Sequence, residues 1–137
     1  MKWLMVILLG LPSRLPAQVF RFSIFDYAFH KNGVTDDKPN WIKLDRVLTI
    51  DTANKSLLIQ CEVDSCEISE YKLLKMTENW STVAGDSRSD YDGRDILGHV
   101  CKVEITVFHD HTKKHIATLI ISSPDGLYVY RLRRLGG

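Results

Sequence analysis

The 137-residue chain has no apolar run approaching the roughly 20 residues that a membrane-crossing helix needs; its most apolar stretch, Trp3 to Leu11, is cut off by Pro12. Charge of one sign is not in excess either. Eighteen Lys and Arg stand against 17 Asp and Glu, so neither nucleic acid nor an anionic lipid surface is implied as a partner. Repeats of fixed period and low-complexity tracts are missing, which excludes solenoid, collagen-like and disordered classes. Glycine is sparse, and its eight occurrences form no phosphate-cradling loop and no dinucleotide fingerprint. No serine occupies a glycine-flanked elbow, and no cysteine lies in a known nucleophile signature. The three cysteines, Cys61, Cys66 and Cys101, are an odd set that leaves at least one without an internal partner. Cys61 and Cys66 could close a tight loop, or Cys101 could reach either one across neighbouring strands. The expectation is that no disulfide is essential, because free cysteines serve well as small buried hydrophobes.

What is present begins with a leader. Residues 1–17, MKWLMVILLGLPSRLPA, place Lys2 ahead of the apolar run and end on the small Ala17, the layout of a signal peptide. Cleavage there leaves a single domain, residues 18–137, in a secreted or periplasmic setting, with no stable membrane insertion. Taking Lys2 and Arg14 from the 18 basic residues leaves 16 against 17 acidic, a net charge of −1. A chain of this length supports one core and little else.

From Gln18 onward the dominant signal is period-two alternation with β-branched and aromatic residues, which predicts an antiparallel all-β domain. Val19 to Phe29 reads as a first strand, with Phe20, Phe22 and Ile24 on one face and Val19, Phe25, Tyr27 and Phe29 on the other. A polar connection over 31–40 precedes Trp41. Leu44, Leu48 and Ile50 then pair with Leu57, Ile59 and Cys61 in a hairpin whose turn is assigned to the positive-φ tolerance of Asn54. Residues 68–76 are ambiguous: Asp64 and Glu67 could cap a short helix, whereas a strand puts Ile68, Leu74 and Met76 on one side. Strand is preferred, because a meander leaves a gap there. Ala84 to Gly98, rich in Asp, Ser, Arg and Gly, reads as the longest loop. Val103 to Val107, His115 to Ile121 and Leu127 to Leu132 form three sequential strands. The last turn is Ser123-Pro124-Asp125-Gly126, with Gly126 assigned to a positive φ. Leu132 to Gly137 is expected to fray. Six to eight strands in sequential order predict a small antiparallel meander closing into a calycin-like barrel or folding into a two-sheet sandwich, with the barrel favoured because it needs no long crossovers.

Few residues carry a chemical signal. His109, His111 and His115 surround one turn, and a hairpin could oppose two imidazoles as zinc or copper ligands. An extended chain aims Asp110 away from His109 and His111, so no metal is assigned. Asp86, Asp90, Asp92 and Asp95 around Gly93 suggest a calcium loop, but Arg88 and His99 fall where an EF-hand needs carboxylates. Glu62, Asp64, Glu67 and Glu70 cluster near a turn, as solubilising charges commonly do. No catalytic residue and no cofactor is assigned. The favoured function is a non-enzymatic exported module that binds a small molecule or a protein through aromatics such as Trp41, Trp80, Tyr128 or Tyr130, although such residues more often simply pack. The alternative is a metal-dependent or hydrolytic enzyme using the His109, His111 and His115 cluster or the acidic segment 86–95.

Overall fold

In the computed structural model, residues 19–31, 40–61, 68–109 and 115–135 are described. They form eight antiparallel strands: β1 (Val19–Lys31), β2 (Ile42–Asp51), β3 (Ser56–Cys61), β4 (Ser69–Ser81), β5 (Ser87–Asp95), β6 (Val100–Val107), β7 (Ala117–Ser123) and β8 (Gly126–Arg134). Each strand pairs with the next, and β8 pairs back onto β1, so the sheet closes as an up-and-down barrel. Closure removes the free edges that a sandwich would keep. Residues 1–17, predicted as a leader, lie outside the described residues.

Alternation assigns the inward side. Phe22 and Ile24 of β1, Leu48 and Ile50 of β2, Leu57 and Ile59 of β3, Val103 and Ile105 of β6, Leu119 and Ile121 of β7 and Leu132 of β8 pack into one buried cluster. The segment predicted as the longest loop is instead largely β5. Its inward positions are Ser87, Ser89, Tyr91 and Gly93, alternating with outward Arg88, Asp90, Asp92 and Arg94. The period-two pattern is there, but small polar residues replace the aliphatics by which a strand is usually recognised. Gly93 allows a close approach: a Cβ there would come 2.8 Å from the Lys72 carbonyl oxygen.

Three register shifts move side chains across the wall. Between Ile24 and Asp26 in β1 the pairing slips by one residue against both β2 and β8. A bulge of this kind flips everything beyond it. Tyr27 and Phe29 therefore join the inward side with Phe22 and Ile24, contrary to the face expected from unbroken alternation, while Asp26 turns outward against Arg131. In β4, alternation from inward Tyr71 buries Leu73 and leaves Ile68 and Leu74 exposed; a slip between Leu73 and Lys75 then pairs Met76 with inward Tyr91, and another follows between Met76 and Glu78. The predicted Ile68, Leu74 and Met76 face is thus not formed, although residues 69–81 are indeed strand.

Several local assignments also differ. In the β2–β3 turn the positive φ belongs to Lys55, at 50°. Asn54 instead donates from its side-chain amide to Asp51 Oδ2 at 2.8 Å, which lowers the Asp51 carboxyl below the usual range. The Ser123–Gly126 turn forms as predicted, but Gly126 does not have a positive φ. It is needed because a Cβ there would collide with the His30 carbonyl and the Phe29 ring. Leu132 is fully buried and β8 runs to Arg134, so the chain does not fray at Leu132. Finally, Cys61 is disulfide-bonded, and Cys101, whose buried thiol is free, is not its partner.

Candidate functional site

The barrel interior is not filled evenly. At the end where β5 meets β6 and β7 meets β8, a cavity of about 410 Å³ is lined by Tyr71, Tyr128, Tyr130, Cys101 and Ile121, with Ser69, Asp95, His99, Ser123 and Asp125 toward its rim. Its volume falls within the range of about 300–1,000 Å³ usual for small-molecule sites.

The tyrosines are held in place by the β1 bulge. Tyr27 stacks on Tyr130 with ring centroids 5.8 Å apart, Phe29 lies 4.5 Å from Tyr128, and Tyr128 stacks on Tyr130 at 6.3 Å. Without the bulge, Tyr27 and Phe29 would face outward and the two β8 rings would lose their backing. The bulge is locked from outside. Asp26, nearly inaccessible, receives Nε and Nη2 of Arg131 in a bidentate pair, and Trp41 covers the guanidinium at 3.8 Å. Such a fork fixes both partners geometrically.

Among the described residues, the hydroxyls of Tyr71, Tyr128 and Tyr130 have no hydrogen-bond partner. Burial, followed by the nearby Cys101, Tyr128 and Asp95, pushes the Tyr71 phenol up to about 12. Burial, then Tyr71, Tyr128 and Tyr27, raises Tyr130 further. The Cys101 thiol is likewise raised by burial and then by Asp95. At neutral pH the cavity thus presents protonated phenols and a thiol, not anionic nucleophiles.

At the rim, Asp95 organises the β5–β6 turn. Its Oδ1 accepts from the backbone N–H of Leu97 at 2.9 Å and of His99 at 2.8 Å, and its Oδ2 lies 3.1 Å from His99 Nδ1. Burial works to raise this carboxyl, but the hydrogen bonds from His99 and Leu97 outweigh it and hold it low. Asp95 is therefore a fixed negative charge beside the cavity.

The residues singled out from the sequence scatter. Tyr128 and Tyr130 enter the cavity, whereas Trp41 lies outside over Arg131 and Trp80 is exposed beneath Arg88. The carboxylates of 86–95 do not converge. Asp86 accepts the His109 N–H, Asp90 takes the Arg88 fork that also reaches Glu104 at 2.7 Å, Asp92 sits 3.5 Å from Lys102, and Asp95 caps its own turn. Of the three histidines, His109 is exposed beside Gly85 and His115 packs edge-on against Phe108, while His111 lies outside the described residues. Among the described residues no three His, Cys, Asp or Glu side chains gather as a metal would require. Glu70 sits on the outer face 4.0 Å from Lys72; Glu62, Asp64 and Glu67 lie outside the described residues. Sequence reading missed Tyr71, His99 and Cys101 as site residues, and it singled out Asp95 only as part of an acidic segment. Only the alternation of Tyr71 with Leu73 hinted that this tyrosine points inward.

No family model matches the chain, and no curated protein or solved structure is significantly similar to it.

Proposed function

We propose that this protein is a non-enzymatic binding module that holds one small, partly aromatic molecule in the tyrosine-lined end of its barrel. The observation that carries this reading is the trio of unpartnered hydroxyls on Tyr71, Tyr128 and Tyr130 around a cavity of about 410 Å³. These hydroxyls are not among the fully buried groups left unsatisfied, so they stand accessible within the cavity to a ligand bearing donors or acceptors. The rings supply apolar and π surface, and the hydroxyls fix orientation. A disulfide at Cys61 fits an exported protein working outside a reducing cytosol, in keeping with the leader. The separate pairing of the 86–95 carboxylates favours binding over hydrolysis.

The test uses a neutral aromatic alcohol, tryptophol, followed by backbone amide NMR. One saturable site is expected, with shifts concentrated at Ser69–Tyr71, Asp95–Cys101 and Ser123–Tyr130. Ser69→Trp and Ser123→Trp, each placing an indole at the rim, should abolish it while leaving the remaining spectrum folded. Shifts elsewhere, or binding unaffected in both variants, would refute the reading.

A further inference from the structure

The charge pattern of the cavity narrows the chemistry of what it can hold. Among the described residues that line it, none is lysine or arginine, whereas Asp95 and Asp125 both stand at its rim. Besides Lys31, which is paired with Gly126 and does not line the cavity, one described cation shares an inward row near this end: Arg46, paired with Ile24 and Cys61. It does not line the cavity, and its guanidinium donates instead to the Asp45 carbonyl at 3.3 Å. His99, the remaining basic group, is already engaged with Asp95.

The aromatic surfaces add to this. Tyr128 and Tyr130 stand stacked in a row backed by Phe29 and Tyr27, and Tyr71 stands on the facing part of the wall. Aromatic faces carry negative quadrupole potential, and a cation within about 6 Å of such a face gains roughly 0.5–2 kcal/mol, more as water is excluded. The Asp95 charge already opposes ionisation of both Tyr71 and Cys101. The same field disfavours any anion placed between them and favours a cation.

We infer that the ligand is an organic cation, an amine attached to an aromatic ring, with its ring against Tyr128 and Tyr130 and its ammonium toward Asp95. This rests on the cavity being a ligand site. A fatty acid or other carboxylate is disfavoured on the same grounds: it would enter a negative field, and no described lining residue is a lysine or arginine that could receive it.

Three probes sharing an indole and a short linker separate the two claims: tryptamine, cationic; tryptophol, neutral; and indole-3-propionate, anionic. Isothermal titration at pH 8 and low salt should rank them in that order, with tryptamine at least tenfold tighter than tryptophol. Asp95→Asn should reduce the preference for tryptamine over tryptophol, measured within the variant, to about threefold. Should that variant unfold through loss of its turn, Asp125→Asn, on the exposed side of the rim, should lower it in the same direction. Tryptophol or indole-3-propionate binding as tightly as tryptamine overturns the charge assignment and leaves the cavity reading standing. Failure of all three to bind overturns both.

Discussion

Two parts of one interior invite comparison. Leu48, Leu57, Leu119 and Leu132 are wholly buried and pack against one another as a dry aliphatic filling. A few residues from Leu132, β8 presents Tyr128 and Tyr130 to an open space, and β4 presents Tyr71. Both sets obey the same inward alternation. Position on a strand therefore decides which side of the wall a residue occupies, and side-chain chemistry decides whether that side is packed shut. Aliphatic residues interdigitate to crystal-like density; stacked tyrosines with idle hydroxyls leave room and polar valence.

The comparison is broken most forcefully at Leu119. Leu119→Ala should cost about 3 kcal/mol in equilibrium denaturation, the usual penalty for a cavity opened in a tight core. A cost below about 1 kcal/mol would mean the aliphatic part is no better packed than the tyrosine part. Next, Asp26→Ala strips Arg131 of its partner beneath Trp41 and should cost about 2 kcal/mol, discounted from the fully buried case because the Arg131 side chain is 26% exposed. Because the bulge orients Tyr27 and Phe29, this variant should also weaken ligand binding, whereas Leu119→Ala at matched stability should not.

Alkaline titration sharpens the contrast further. An unfolded tyrosine ionises near 10, whereas burial lifts Tyr71 to about 12 and also raises Tyr91 and Tyr130. The folded state then holds protons that the unfolded state has lost, so stability is complete below pH 10 and falls as pH rises from 10 toward 12. Phenolate absorbance should show these tyrosines ionising late, and stability independent of pH between 9 and 12 would contradict it. The smallest effect belongs to Tyr71→Phe. Because its hydroxyl has no partner, removal should change stability by less than about 0.5 kcal/mol, yet it should lower affinity for a hydrogen-bonding ligand severalfold. Denaturation and titration calorimetry on the one variant check both halves.

Much of the barrel was legible from alternation and turn chemistry: the β2–β3 hairpin, the Ser123–Gly126 turn and the sequential order that favours closure all follow from local residues. β5 was not, because Ser87, Ser89 and Gly93 face inward without the hydrophobicity that marks an inward position. The bulge at Ile24–Asp26 was invisible for a different reason. It depends on an outward acid meeting Arg131, 105 residues further along the chain, and no local period records such a pair. The site inherits both gaps, since Asp95 at the end of β5 stands at its rim and the backing of its tyrosines depends on the bulge. Tyr128 and Tyr130 were readable as a shared face; that this face borders a cavity depends on what the other strands leave unfilled.

The central claim is that the tyrosine-lined end of the interior is a ligand site and not merely loose packing. Crystals of the protein soaked in tryptophol test it most directly. The account predicts density for one indole ring bounded by Tyr71, Tyr128 and Tyr130, with at least one of their hydroxyls within about 3.2 Å of a ligand polar atom. Tyrosine side chains collapsed together to fill the space, or an empty cavity in crystals where tryptophol is ordered on the outer wall, would contradict it.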